Sequence, residues 1–309
     1  MSIVKPISAI IATVNRSSVL KKMLLTIEIQ EIQPYEIIIV DASDNKDTFD
    51  LINSTSFQFS SKIIYLTAKV KGAATQREQG IRESTQSFIL FMDDDVYLQP
   101  YCISKLWDAI NLDDKTGGVN ALIINQQFIP LGRISRLFYR LYANQETLNN
   151  LEGKTIGPCI NFLCSENNDQ SMISVDWLNT TTTLYRKSSL PIPTFPSYFK
   201  GYSFMEDAAL SYLVSKSWKL YTIRDARIFH DSQPGNHKSN LSVLAEEEAV
   251  NRFFTMHLIL NKRKTKDFLG FVALQMFNLL TSGNIFNYKV ISGKLKAMNK
   301  IFNLLNEKK

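Results

Sequence analysis

Phe88-Ile89-Leu90-Phe91-Met92 runs straight into Asp93-Asp94-Asp95. The apolar run suits a parallel strand buried on both faces. The acids that end it repel one another, and holding them together is costly unless a cation stands between them. Magnesium and manganese take carboxylate oxygens together with substrate phosphate oxygens. An acidic triplet at the carboxyl end of a buried strand therefore suits a metal-bound diphosphate. Taken alone, the triplet reads as readily as an acidic cap ahead of the helix that Pro100 opens.

Working outward, Ile7 to Val14 is a continuous β-prone run, and Ser17 and Ser18 can cap a helix from Val19 to Ile29. Glu36 to Val40 is a second strand, ending at Asp41-Ala42-Ser43-Asp44-Asn45. A helix from Asp47 to Asn53, a strand from Ile63 to Leu66 and a helix opened by Gly72-Ala73-Ala74 follow, before Phe88 to Met92 and a helix from Pro100 to Ile110. Strand and helix alternate four times in the first 110 residues. Such alternation predicts a mainly parallel sheet flanked by helices. Right-handed crossovers put the loops after the strands on one edge, where ligands bind. Thr13, Asn15, Arg16, Asp41 and Asp93 to Asp95 all follow strands, so they are expected to converge.

The second half is less regular. Val119 to Ile124 reads as a strand, Ile134 to Leu148 as a helix with arginines on one side, and 150 to 172 as loop. Trp177 to Tyr185 is threonine-rich and β-prone. Phe204 to Lys216 reads as a helix and Leu220 to Phe229 as a strand. From Leu241 onward the pattern is helical and increasingly apolar.

At 309 residues and 45% hydrophobic, the chain can bury a substantial core. A net charge of +6 favours anionic partners. The basic clusters, Arg133/Arg136/Arg140 and Lys262/Arg263/Lys264/Lys266, lack the interleaved aromatics of a single-strand groove, so no nucleic-acid partner is expected. Three cysteines with no C-x-x-C pair argue against a disulfide framework and a zinc site, and fit a reducing compartment. No G-x-G-x-x-G is present, which excludes the usual dinucleotide-dependent oxidoreductase. Neither a signal peptide nor a run of about 18 apolar residues is legible, so a cytoplasmic protein is expected.

Six segments in order resemble family 2 inverting glycosyltransferases of the GT-A fold. They are Ala12-Thr13-Val14-Asn15-Arg16, Ile38-Ile39-Val40-Asp41-Ala42-Ser43, Gly72-Ala73-Ala74-Thr75-Gln76-Arg77, Phe91-Met92-Asp93-Asp94-Asp95, Met205-Glu206-Asp207 and Ala226-Arg227-Ile228-Phe229-His230. Asp176-Trp177-Leu178 and Leu184-Tyr185-Arg186-Lys187 further resemble the bacterial rhamnosyltransferase-like branch.

The resemblance implies a nucleoside-diphosphate-sugar donor, with UDP- or dTDP-sugars favoured. It implies Mn2+ or Mg2+ as cofactor and a glycan or lipid-linked acceptor in surface polysaccharide synthesis. Thr13 and Asp41 match base- and ribose-holding positions, and a carboxylate suits the imide N–H of uracil or thymine. Arg16 and Arg77 are candidates for pairing with phosphate, and Asn15 joins the donor set. Asp93 resembles the ribose-side acid and Asp95 the metal ligand. Asp94 is shared between the two jobs. His230 matches a residue that reaches the metal or diphosphate. Asp207 matches the base that takes the acceptor's proton, and Glu206 its positioning neighbour. For the last two, an acidic first helical turn favoured by the macrodipole is the plainer alternative. Trp177 suits stacking on an acceptor sugar or simple core packing.

Departures from the family pattern are Ala209 for a second acid, Leu213 for an arginine, and Thr180-Thr181 after the tryptophan-leucine pair. They bear on the acceptor more than on the reaction. A sugar-phosphate nucleotidyltransferase would want a glycine-rich loop where Thr13-Val14-Asn15-Arg16 stands. A non-catalytic binding module would not need Asp93, Asp95 and Asp207. The expected organisation is a catalytic domain over 1–235, with a nucleotide-binding half to 110 and an acceptor-binding half from 111, and a helical extension over 236–309. The arginine-bearing helix and the apolar segment Phe268 to Leu280 suit either peripheral contact with the inner face of the cell membrane or packing on the catalytic domain.

Overall fold

β1 (Ile3–Thr13), α1 (Ser17–Glu28), β2 (Ile32–Asp41), α2 (Asp47–Ser54), β3 (Lys62–Thr67), α3 (Ala73–Glu83) and β4 (Phe88–Asp93) realise the alternation read from the sequence. The computed structural model describes residues 2–306 apart from 127, 167–169, 200, 202 and 233–239. Residues 167–169 of the expected loop over 150–172 thus lie outside the described residues. The second half adds β5 (Val96–Leu98), α4 (Cys102–Ile110), β6 (Thr116–Ile123), α5 (Arg133–Tyr139), α6 (Gln145–Asn149), β7 (Thr155–Ile156), β8 (Ile160–Asn161), β9 (Met172–Ser174), β10 (Thr182–Arg186), α7 (Glu206–Ser215) and β11 (Lys219–His230). The chain ends in α8 (Leu241–Phe254), α9 (Thr265–Thr281) and α10 (Tyr288–Asn306).

The main sheet runs β3-β2-β1-β4-β10-β6-β11-β5, with β9 also paired to β11. β3, β2, β1 and β4 are mutually parallel, as the alternation requires. β10 enters antiparallel to both β4 and β6, so the sheet is mixed beyond β4. That reversal matters for the site. It sets Thr182 opposite Met92, and Asp93 N–H donates to Thr181 O at 2.9 Å. The start of β10 and the acidic end of β4 thereby share one edge.

Alternate residues of the buried strands feed opposite faces. Ile7, Ala9 and Ile11 of β1 join the cluster under α1 and α4. Ile10 joins the other, with residues of α3 and α7. Gly80 of α3 makes that second contact possible. A Cβ there would stand 2.5 Å from Ile10 Cγ2. Gly80→Ala is expected to destabilise the protein by about 1–3 kcal/mol through overpacking, read as a lower urea midpoint.

Several boundaries differ from the sequence reading. The helix expected over Ile134 to Leu148 is two helices. α5 stops at Tyr139, and Asn144 begins α6 by accepting Thr147 N–H at 2.8 Å. An asparagine cap satisfies an otherwise unpaired first-turn donor, and so starts a new helix inside an apparently periodic run. Of the Trp177 to Tyr185 stretch, only the part from Thr182 onward is strand, as the start of β10; Leu178 N–H is taken by Ser211 Oγ at 2.8 Å instead of a ladder. The expected loop over 150–172 contains the small β7-β8 hairpin and the start of β9. β5 was too short to be read from residue pattern.

The C-terminal helices are packed, not detached. α8 and α10 are joined through Glu248, which binds Arg252 at 2.6 Å and Lys294. Ala249, Phe253, Phe271, Ala297 and Ile301 form their own buried cluster. Phe277 of α9 stacks on Phe138 of α5 at 3.9 Å.

Candidate functional site

The loops after β1, β2 and β4 meet, as their strand-end positions require. Thr13 Oγ1 donates to Asp94 Oδ2 at 2.6 Å. Asn15, held at φ 52°, donates its N–H to Ser43 Oγ at 2.6 Å; its side chain donates from Nδ2 to Asp44 Oδ2 at 3.1 Å and accepts Asp44 N–H on Oδ1 at 3.0 Å. Gln76 binds this edge together: its Nε2 donates to Thr13 O at 3.0 Å and Val40 O at 2.7 Å. Asp41 is buried beneath the loops. Its Oδ1 accepts Ser43 N–H at 2.9 Å and the Ser43 hydroxyl, and its Oδ2 accepts Tyr65 Oη–H at 3.0 Å. Burial, and then that bond, push the Tyr65 phenol up to about 12.

The triplet is not three equivalent carboxylates. Asp94 and Asp95 are buried, and the Arg16 guanidinium binds both, reaching Asp95 Oδ2 at 2.8 Å. Burial is the main cause that pushes Asp94 up to about 6, with Arg16 opposing. Asp93 is more open, and Arg77 Nη2 donates to its Oδ1 at 2.6 Å. The other end of the Arg77 guanidinium binds Glu206 Oε1. Arg77 is therefore a buried bridge between two acidic centres, not a surface arginine. Gly72, at φ 145°, starts the helix that carries it.

β11 lies antiparallel to β5 with His230 opposite Val96, which brings the ring beside Asp95. His230 Nε2 is 3.2 Å from Asp95 Oδ1. On its far side, Nδ1 is 3.2 Å from Gln126 Nε2. Ligand atoms of Asp93, Asp95 and His230 all lie within 4.8 Å of one another. Two carboxylates and one imidazole are a donor set that fits manganese, and the two carboxylates without the imidazole would suit magnesium.

Glu206 and Asp207 open α7 after Met205, which sits at φ 73°. Burial pushes Glu206 up to about 7, partly offset by Arg77. Asp207 is pushed up to about 6, again by burial, although its Oδ1 accepts Ala208 N–H at 2.7 Å. A carboxyl with a raised pKa at a cavity wall is matched to proton transfer near neutral pH.

A cavity of about 1070 Å³ unites these groups. Its wall includes Thr13, Asn15, Arg16, Arg77, Asp93, Asp94, Asp95, Trp177, Glu206, Asp207 and His230. Asp41 is the one sequence-derived site residue that does not line it. Trp177 Nε1–H donates to Phe162 O at 3.0 Å, which fixes the ring. Thr180 and Thr181, the departures after Trp177-Leu178, also line the wall.

Sequence reasoning missed part of this wall. Asp44 and Lys71, 3.6 Å apart, stand at it. Asn240, Val243, Glu247 and Arg252 come from α8 and its N-cap, which the sequence places in the extension. Arg252 is anchored on Pro158 O at 3.4 Å and on Cys159 O. No local signal marks α8 as part of a site, because its contribution depends only on how the helix docks. Asp44 stands in the Asp41-Ala42-Ser43-Asp44-Asn45 cluster, whose residue types suit a turn or helix cap as well as a site.

Residues 8–160 match the family model described as Glycosyl transferase family 2. The mannosyltransferase PcManGT from Pyrobaculum calidifontis, in complex with GDP-Man and Mn2+, superposes with a TM-score of 0.55 at 12% identity, over 93% of this chain and 72% of that one. TarS 1-349 of S. aureus, in complex with UDP-GlcNAc, gives 0.49 at 17% identity, over 84% of this chain and 65% of that one. The likeness to the first is one of fold: a mixed α/β sheet flanked by helices, of the GT-A type. No curated protein sequence matches the chain.

Proposed function

Residues 8–160 form a Glycosyl transferase family 2 domain, and from that premise we propose that the protein transfers a sugar from a nucleoside-diphosphate sugar to an acceptor hydroxyl, with inversion. The observation that carries this reading is one cavity lined both by Asp207 and by the Asp93-Asp94-Asp95 triplet with Arg16. An acid poised for proton transfer and an anion-binding, cation-ready cluster are what a displacement at an anomeric carbon needs.

In the proposed reaction the Asp207 carboxylate takes the proton of the acceptor hydroxyl. The acceptor oxygen forms its bond to the anomeric carbon from the face opposite the diphosphate. The bond from that carbon to the diphosphate oxygen breaks, and its electron pair leaves on the diphosphate. Arg16 offers positive charge to that leaving group. A Mn2+ or Mg2+ ion bound by Asp93, Asp95 and His230 would add Lewis-acid stabilisation of the leaving oxygen. Arg77, bound to both Asp93 and Glu206, keeps the two acidic centres in register and is assigned alignment instead of phosphate binding. Asp94 and Thr13 hold the edge beneath the donor. Asn15 is assigned to the nucleoside, and Asp41, set back from the cavity, to fixing the Ser43 loop beside it. Trp177 is assigned to the acceptor.

UDP- and dTDP-sugars are the favoured donors, and a glycan or lipid-linked acceptor the favoured partner. The resemblance to the bacterial rhamnosyltransferase-like branch supports a place in surface polysaccharide synthesis and a cytoplasmic site of action. The expected domain division survives as a proposal with one amendment: α8 belongs functionally to the catalytic unit.

A thermal-shift panel tests the donor reading. UDP, dTDP and GDP are each added with Mn2+ and with a chelator. The preferred nucleotide is expected to stabilise the protein by about 2.7 kcal/mol at a hundredfold excess over its dissociation constant, and far less with chelator. No shift from any nucleoside diphosphate would remove the donor assignment.

A further inference from the structure

Among the described residues, two apolar helical stripes are left uncovered. On α5 and the turn after it, Ile134, Leu137 and Leu141 are 75%, 66% and 68% exposed. Their i, i+3, i+7 spacing puts them on one face. On α9, Leu269, Met276 and Leu280 are exposed on one face in the same way. The Phe138–Phe277 stack holds the two helices side by side, and Tyr142 Oη–H adds a bond to Gly270 O at 2.7 Å. The buried side of each helix lies elsewhere: Tyr139 packs on Phe162, and Phe271 and Leu274 enter the core. The two uncovered stripes therefore flank one seam. Phe286, in the turn after α9, is almost fully exposed.

The charge around the seam is mainly cationic, with Glu146 of α6 and Asp267 as the nearby acids. Arg133, Arg136 and Arg140 are the only charged residues between 128 and 141. Arg133, Arg140, Lys264 and Lys266 are exposed. Asp267 is the single acid between 262 and 306, and it accepts Lys264 N–H at 2.9 Å. Single exposed apolar residues are ordinary, but bordering stripes with a cationic rim mark an interaction face. Hydrocarbon beneath an anionic layer complements both features at once. Among the described residues no helix is long and apolar enough to cross a membrane, so the match is to a surface.

We propose that the α5–α9 face docks on an anionic lipid bilayer, with Leu137, Leu141, Met276 and Leu280 entering the headgroup layer and Arg133 and Arg140 meeting lipid phosphates. The seam reaches the catalytic cavity: Ile160 packs in the cluster of Phe138 and Tyr139 and also lines the cavity wall. On the transfer reading above, that would set the acceptor side beside the bilayer.

The test is cosedimentation of the full chain with phosphatidylcholine vesicles, with and without phosphatidylglycerol. The protein is expected on the anionic vesicles, with binding that falls as salt rises. Arg133→Gln and Arg140→Gln should each weaken it about fivefold, and Leu137→Asp at least about tenfold. Nucleotide binding should be unchanged in all three. Absence of binding to anionic vesicles, or binding indifferent to these substitutions, overturns the proposal. So does a wild-type dimer in analytical ultracentrifugation that Leu137→Asp converts to monomer, because a second copy then covers the face. Failure of the wild-type protein to bind nucleotide would count against the transfer reading alone.

Discussion

Asp207→Asn keeps metal-dependent nucleotide binding and loses sugar transfer by about 10²–10⁴-fold, the usual contribution of a positioned general base. The substitution preserves shape and the bond from Ala208 N–H, but an amide does not take the acceptor's proton. Two further readouts separate this from damage to the fold. Burial raises the Asp207 carboxyl to about 6, and the base works only as carboxylate, so wild-type transfer should fall as pH drops through about 6. The same shift has the opposite consequence for stability. A carboxyl whose folded pKa lies above its unfolded value of 3.8 binds its proton more tightly in the folded state. Its contribution is therefore fully present below about pH 4 and is lost as pH rises to about 6. Asp207→Asn should melt above the wild type at pH 7 and converge with it near pH 4. Transfer at the wild-type rate would dismiss Asp207 as the base. A variant that melts lower at pH 7 would show that the carboxylate is structural.

Asp95→Ala is expected to remove the metal dependence of nucleotide binding and to weaken binding in Mn2+ by about a hundredfold or more, corresponding to about 3 kcal/mol. Asp95 is the one acid of the triplet that touches both Arg16 and His230. Its loss removes a ligand, the contact with His230 and one of the two carboxylates that Arg16 holds. Calorimetry with nucleotide, with and without Mn2+, measures the effect. His230→Ala, which removes one ligand and leaves Arg16 paired, should lie between wild type and Asp95→Ala. Nucleotide affinity indifferent both to Mn2+ and to Asp95 would eliminate the metal role.

Part of this site is legible in the residue order. Thr13, Asn15, Arg16 and the acidic triplet follow strands that alternate with helices, and parallel topology forces such loops to one edge. Asp207 and His230 came from motif order, not from spacing. Arg77 was legible as a site residue but not in its partners. From sequence it was a candidate for phosphate, whereas the fold buries it between Asp93 and Glu206. Asp41 was legible as a strand-end acid, yet Tyr65 and Ser43 hold it behind the cavity.

What the sequence determined by itself is local or periodic: the buried strands, the helices between them, the shared edge and the acidic end of β4. These follow from side-chain alternation and chain connectivity, which residue order alone specifies. What only the tertiary structure decided is pairing across long separations. β10 lies antiparallel to β4 and brings Thr181 to Asp93. α8 closes the cavity from a segment that had read as an appendage. The apolar surfaces of α5 and α9 are divided between core and solvent by how the two helices dock, with Phe138 on Phe277 and Tyr142 on Gly270. Each outcome depends on which surfaces pack together, and packing between distant segments leaves no mark on the spacing of residues within either one.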